Sequence, residues 1–186
     1  QIHLKKTGFT FLFAPAFHPA MKAVVPIRRA MGVRTAFNLL GPLTNPARPD
    51  FQLLGAYSPE GAKLIANALS EMDVERAYVV HGAQGWDEAT PVGPFVRFTV
   101  TAGQVQRETI DPQIAYGIPR CAPEALAGGD ADQNANIIRA IFAGETGPNR
   151  DAVVLNTALV LQVVGRVVDG HEAVGMACAA IDNGRA

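Results

Sequence analysis

Phe51-Gln52-Leu53-Leu54-Gly55-Ala56-Tyr57, then Ser58-Pro59-Glu60 leading into Ala62, Ile65, Ala66 and Leu69, then Arg76-Ala77-Tyr78-Val79-Val80-His81, is the stretch that decides the fold. Its first and last pieces are short, apolar and bounded by turn residues, the pattern of strands. The middle piece opens with a serine able to cap free amides and a proline that fits a first helical turn. Its apolar residues fall on one face of a helix running to about Met72. Strand, helix and strand in that order predict a crossover and a parallel pair. The fold class that follows is α/β, a largely parallel sheet flanked by helices. Such sheets take ligands outside the carboxyl ends of their strands, which directs attention to Gly82-Ala83-Gln84-Gly85, just past the second strand.

Downstream, Pro94 to Val100 and Gln104 to Thr109, separated by Thr101-Ala102-Gly103, read as a hairpin and a small antiparallel extension. From Glu124 onward the pattern is helical: Asp132 to Ala143, Asn149 to Val164, and His171 to Ile181, with Asp130 or Asp132 available to cap the first. Upstream, Thr10-Phe11-Leu12-Phe13-Ala14 reads as a buried strand closed by Pro15. His18 to Met31 reads as a helix that Pro26 kinks or splits. Gly41 to Pro49, with Pro42 and Pro46 inside it, reads as loop or hinge. Repeats, low-complexity tracts and sharp shifts of composition are absent, so residues 1–186 are read as one α/β domain portion that includes a helical and hinge segment at about 18–46.

With 186 residues, 48% of them apolar, the chain can bury a sizeable core. Sixteen basic against seventeen acidic residues leave a net charge of −1, which provides no global attraction to nucleic acid or to an anionic membrane. Its apolar runs fall short of the ~20 residues that cross a bilayer, and Gln1-Ile2-His3-Leu4-Lys5-Lys6 is not followed by a signal-peptide core. Cys121 and Cys178 stand far apart and outside any CxxC pair. That argues against a zinc ribbon, a thioredoxin-like motif or a disulfide scaffold, and fits the cytoplasm.

Asp87-Glu88 follows the strand 76–81 through a short glycine-containing loop. Adjacent carboxylates on a loop can converge on one hard cation, and Mg²⁺ takes one or two carboxylates plus waters and substrate phosphates. A solvated acidic turn is the plain alternative. Arg28 offers a planar fork matched to a carboxylate, with Arg29 and Arg34 as nearby alternatives and a surface charge as the plain reading of each. His18, at the start of its helix, either lines a pocket or packs beside Phe17. Gly41 permits close backbone approach or positive φ, and Pro42 restricts it in turn; an ordinary tight loop would use both residues too. His3 and His171 have no partner at metal-ligand spacing, and Asn134 and Asn156 read as packing or helix-end residues. Gly128-Gly129-Asp130 lacks the preceding strand and the lysine of a phosphate loop.

Two segments resemble a known family. Phe17-His18-Pro19-Ala20-Met21-Lys22-Ala23-Val24-Val25-Pro26-Ile27-Arg28-Arg29, followed by Gly32-Val33-Arg34-Thr35-Ala36-Phe37-Asn38-Leu39-Leu40-Gly41-Pro42-Leu43-Thr44-Asn45-Pro46, resembles the substrate-binding segment of the anthranilate phosphoribosyltransferases. His81-Gly82, with Gly85-Trp86-Asp87-Glu88, resembles their metal-binding loop. The resemblance implies a nucleoside phosphorylase/phosphoribosyltransferase-like catalytic domain with part of a small helical domain near its N-terminus. It implies transfer of 5-phosphoribose from phosphoribosyl pyrophosphate (PRPP) to anthranilate, giving N-(5-phosphoribosyl)anthranilate and pyrophosphate in tryptophan biosynthesis. Mg²⁺ is the implied cofactor, held by Asp87 and Glu88, while Arg28, His18, Gly41 and Pro42 bind anthranilate. No residue is implied as acid, base or nucleophile, and the full-length chain is implied to be a homodimer.

Ala23 stands where many relatives carry a larger side chain, which bears on pocket shape. The family's Gly-Thr-Gly-Gly-Asp and Lys-His-Gly-Asn donor-phosphate segments have no counterpart here, so the chain is expected to be the C-terminal half, or somewhat more, of a longer enzyme, with little or no activity alone. One rival is a noncatalytic paralogue that binds nucleic acid, against which stand the near-neutral charge and the lack of a basic, aromatic-interleaved stripe. The other is a pyrimidine nucleoside phosphorylase-like enzyme; the segment Asn38 to Pro46 favours the anthranilate branch.

Overall fold

A computed structural model of the chain describes residues 2–17, 41 and 43–185. They fall into two compact units, Gln1–Ala47 and Arg48–Ala186.

The first unit holds α1 (Ile2–Thr7) and α2 (Ala14–Phe17). The strand expected at Thr10 to Ala14 is not formed: residues 10–13 have no regular structure, Ala14 opens α2, and Phe11 and Phe13 are 77% and 57% exposed. An extended run becomes a strand only when another strand takes up its amides and carbonyls, and among the described residues none pairs with it. His18 to Met31, with His18 and Arg28, lies outside the described residues, as does Pro42. Gly41 and Leu43 are helical, and the Thr44 amide and hydroxyl both donate to the Gly41 carbonyl at 3.2 Å. The expected loop is therefore helical at Gly41 and Leu43 and irregular from Thr44 onward.

The second unit is built on a four-stranded sheet in the order β1-β2-β3-β4. β1 (Phe51–Gly55) feeds α3 (Pro59–Ser70), which returns the chain to β2 (Arg76–His81). α3 starts where the sequence says it should: Ser58 Oγ accepts from the Gly61 amide at 3.0 Å and Pro59 occupies the first turn. Its Ala62, Ile65, Ala66 and Leu69 are all buried, and it lies against β2 and β3. β1 and β2 pair in parallel from Phe51↔Arg76 to Gly55↔Val80.

β3 (Phe95–Thr101) and β4 (Gln104–Ile110) form the expected hairpin, with Gly103 at φ +67° in its turn. Both β2–β3 and β3–β4 are antiparallel. The α/β class with flanking helices holds, but the described sheet is mixed where the sequence reading has it largely parallel. Only α3 carries the chain back along the sheet. Between His81 and Phe95 there is just a 3-10 turn, so β3 starts at the end where β2 stops and must run the other way.

Helix α4 (Pro112–Tyr116) follows, capped by Asp111, then α5 (Ala131–Phe142), α6 (Pro148–Val163) and α7 (Gly170–Asp182). Asp130, rather than Asp132, caps α5 in a reciprocal arrangement with Gln133. The Gly129 amide and carbonyl are both bonded by the Asn134 side chain, at 2.9 and 3.0 Å, so Gly128-Gly129-Asp130 is helix-end structure. Every residue of β2 from Ala77 to Val80 is buried, as expected of a strand covered on both faces. Tyr78 and Val80 join Phe95, Tyr116, Leu155, Leu159, Ala173 and Ala177 in the main core. α6 thereby lies close to the strands whose ends carry the candidate site, touching both β1 and β2. Among the described residues no helix is long and apolar enough to cross a membrane.

Candidate functional site

Because β1 and β2 are parallel, they end on the same edge of the sheet. The ladder runs one residue further, with the Ala56 amide donating to Val80 O at 2.9 Å. Beside it, His81 Nδ1 lies 2.8 Å from Ala56 O; a carbonyl only accepts, so Nδ1 carries the proton and the histidine ties the two strand ends together. The chain then turns through Ala83–Gly85. Gln84 is held in the left-handed region at φ 59° and Gly85 follows at φ 88°; for a non-glycine residue such a conformation costs on the order of 1–3 kcal/mol. The Gly82 amide donates to Trp86 O at 2.8 Å, closing the turn and delivering Asp87 and Glu88.

Both carboxylate residues rest on glycines. A methyl group at Gly55 would fall within bonding distance of the Asp87 carbonyl oxygen, and one at Gly82 would overlap the Glu88 carbonyl oxygen. The 87–88 backbone thus sits directly on the strand ends, an approach open only to residues without a Cβ. Asp87 and Glu88 are exposed, whereas Ala89, Thr90 and Pro91 are buried, so the loop re-enters the core at once. Ala89 O accepts from Asn156 Nδ2 of α6 at 2.8 Å. The buried Thr90 hydroxyl has no partner among the described residues.

Partial desolvation, and then the neighbouring Asp87 carboxylate, push the exposed Glu88 carboxyl above its ordinary range. A cation near the pair would oppose both effects by favouring the ionised carboxylates. Among the described residues no three His, Cys, Asp or Glu side chains group as a metal cage. What Asp87 and Glu88 offer is two hard oxygen donors on a backbone seated by Gly55 and Gly82, a donor set that fits Mg²⁺ completed by water and phosphate.

A group whose folded pKa is raised adds stability that is fully present below the unfolded pKa and is lost as pH rises through the folded pKa. Ionised Glu88 therefore costs stability in metal-free protein at neutral pH. Glu88→Gln is expected to raise the Tm measured by scanning calorimetry in chelator at neutral pH, and to leave it unchanged in acid below the ordinary carboxylate range. A lower Tm for the variant at neutral pH would contradict this origin of the shift.

Gly41 is exposed and helical. Among the described residues, Gly41 shows neither a positive φ nor a close approach, with nothing within 4 Å of where its Cβ would stand. His171 packs against Gly117 and lies 3.3 Å from Ile114 O, a structural setting. Two clefts open elsewhere, of about 360 Å³ beside Arg150 and about 680 Å³ beside Arg97. Their cations are already engaged: Arg150 pairs with Asp182 at 2.7 Å, and Arg97 pairs with Glu108 at 2.8 Å while lying 4.4 Å over the Tyr78 ring. Volume alone does not make either a site. Sequence reasoning gives no supporting role to Gly55, quotes Gly82 only as part of the loop, and reads Asn156 as a packing or helix-end residue. A lone glycine at the end of an apolar strand signals close backbone approach, and Asn156 interrupts the apolar run Val153-Val154-Leu155 to Ala158-Leu159-Val160.

A family model described as "Glycosyl transferase family, a/b domain" matches residues 1–186. The chain belongs to this family. Within the glycosyl transferase family it is 48% identical over 184 residues to the anthranilate phosphoribosyltransferase of Chloroflexus aggregans, a match covering 98% of this chain and 54% of that enzyme. The structure of anthranilate phosphoribosyltransferase from Thermus thermophilus is similar with a TM-score of 0.87 and 40% identity, covering 98% of this chain and 54% of that one. The Saccharomyces cerevisiae enzyme in complex with PRPP and Mg is similar with a TM-score of 0.88 and 28% identity, covering 96% and 52%. The same yeast enzyme in complex with 4-fluoroanthranilate is similar with a TM-score of 0.87 and 27% identity, covering 96% and 52%. The chain spans about half the length of the curated relatives it matches.

Proposed function

We propose that residues 1–186, with their helical and hinge segment at about 18–46, are the C-terminal α/β portion of an enzyme that transfers 5-phosphoribose from PRPP to anthranilate in tryptophan biosynthesis. The observation that carries this reading is the Asp87-Glu88 loop, seated by Gly55 and Gly82 on the carboxyl ends of two parallel strands, in a chain so similar to enzymes of that name. Because the chain spans 54% of such an enzyme, the activity is assigned to the whole protein.

Asp87 and Glu88 would hold Mg²⁺, which when bound supplies positive charge to offset that of the departing pyrophosphate. Arg28 presents two parallel N–H donors to the anthranilate carboxylate and so orients the amine; His18, Gly41 and Pro42 line the acceptor's path. The buried Ala89-Thr90-Pro91 stretch holds the two carboxylates at the strand ends. Rate enhancement comes from positioning and charge stabilisation, with no protein acid, base or nucleophile. The two free cysteines fit a cytoplasmic enzyme, and a homodimer is proposed for the full-length protein on the family resemblance.

The test is loss of anthranilate fluorescence with PRPP and Mg²⁺, using the full-length enzyme and its Arg28→Ala variant. Removing one partner of a desolvated charge pair costs about 2–5 kcal/mol, so kcat/KM for anthranilate is expected to fall about thirtyfold or more while the KM for PRPP stays unchanged. An unchanged anthranilate KM would remove Arg28 from the role. No metal-dependent loss of fluorescence in folded wild-type enzyme would favour a noncatalytic paralogue or another acceptor.

A further inference from the structure

We propose that Asn156 is a positioning residue for the metal-holding carboxylates, acting from α6 through the Ala89 carbonyl and touching neither metal nor substrate; this rests on the assignment of Asp87 and Glu88 to Mg²⁺. Both hydrogens of Asn156 Nδ2 are committed, one to Ala89 O at 2.8 Å and one to Ala152 O at 2.9 Å. Carbonyls only accept, so the orientation of the amide is fixed. The Ala152 bond, one turn back in the same helix, ties the amide to α6, whose Val154, Leu155, Ala158 and Leu159 are buried in the core. The Ala89 bond then reaches the residue next to Glu88.

Three consecutive loop carbonyls therefore each have a defined neighbour. Asp87 O rests on Gly55, Glu88 O rests on Gly82, and Ala89 O is gripped by Asn156. The strand ends hold the loop from one side and α6 holds its exit. Exposed carboxylates on an unanchored loop would sample many positions, whereas a metal site needs its ligands placed to within roughly 0.5 Å. Groups outside the ligand set that orient it typically contribute about 10–100-fold in metal affinity. A purely structural Asn156 would lower stability and leave metal affinity alone, and that difference is measurable.

The experiment uses full-length enzyme with PRPP present and anthranilate absent, so that no turnover occurs, and titrates Mn²⁺ by electron paramagnetic resonance. Asn156→Asp keeps the side-chain shape but aims an acceptor at two carbonyls; Asn156→Ala removes the bond and serves should the aspartate variant not fold. Asp87→Ala is the reference. The expected result is Mn²⁺ binding weakened about 10–100-fold in the Asn156 variants, with an unchanged anthranilate KM and transfer largely restored by saturating Mg²⁺. Wild-type Mn²⁺ binding in the Asn156 variants alongside weakened binding in Asp87→Ala would overturn the role of Asn156 and leave the metal assignment standing. Wild-type binding in Asp87→Ala would overturn both. A lower Tm and kcat with unaltered Mn²⁺ binding would show Asn156 to be structural only.

Discussion

Replacing Gly55 by alanine is expected to slow phosphoribosyl transfer by the full-length enzyme about a hundredfold or more while leaving it folded. Ordinarily a glycine-to-alanine change in a strand is neutral or mildly stabilising, because alanine loses less backbone entropy on folding. Gly55 is not among the residues at positive φ, so its backbone conformation does not oppose the change. What opposes it is the Asp87 carbonyl oxygen, with the Asp87 carbonyl carbon just behind. A peptide unit cannot swing aside as the tip of a lysine can, so the loop must shift bodily. Displacing a reacting or positioning group by about 1 Å can cost on the order of a hundredfold in rate. Steady-state kinetics and a thermal melt of Gly55→Ala check this together: a folded variant with wild-type kcat/KM would show that the strand-end contact does not set the position of the carboxylates.

Phe95→Ala should have the largest effect on stability. Phe95 opens β3 directly after the site loop and is 1% exposed. Its ring centroid lies 6.5 Å from that of Tyr116, in the cluster that also holds Tyr78, Val80 and Leu159. Tyr116 is itself pinned, its hydroxyl donating to Gln162 Oε1 at 2.6 Å, and burial is the main cause that pushes its phenol up to about 12. With neighbours fixed in this way the site cannot collapse, so the upper part of the usual Phe→Ala cost, about 3–5 kcal/mol, is expected. Against a total stability of about 5–15 kcal/mol, that is enough to leave a marginal protein partly unfolded. Urea denaturation of the full-length variant measures it; a loss under about 1 kcal/mol would contradict the rigid packing.

The legible parts of the fold are those whose signal is local. The caps at Ser58 and Asp130, the apolar face of α3 and the hairpin around Gly103 each depend on residues a few positions apart, and the structure places them as the pattern dictates. Thr10 to Ala14 was not legible in the same way, because whether an apolar run becomes a strand depends on a partner elsewhere. The direction of β3 turned on the absence of a helix between His81 and Phe95, a feature of the connection and not of either strand. Likewise, composition does not mark the boundary between the two compact units at Ala47 and Arg48, although the proline-rich segment 41–49 spans it.

For the site, the strand-end rule points to Asp87 and Glu88, and only the family resemblance favours a metal role over a solvated acidic turn. Their supports were harder to read, since Gly55 and Gly82 act by lacking an atom and Asn156 acts on a carbonyl 67 residues away. Gly41 marks the reverse case: the residue type permits a special backbone, and the described structure does not use it.

The most direct test of the central claim, that Asp87 and Glu88 hold the metal for phosphoribosyl transfer, is the initial rate of anthranilate consumption against Mg²⁺ concentration in full-length wild-type enzyme and in Asp87→Ala. Loss of one group that stabilises developing charge typically costs about 10²–10³ in kcat. The expected result is a saturable Mg²⁺ dependence in the wild type, and in the variant a rate lower by about that factor with a higher Mg²⁺ requirement. Equal rates with the same Mg²⁺ dependence in both proteins would contradict the claim.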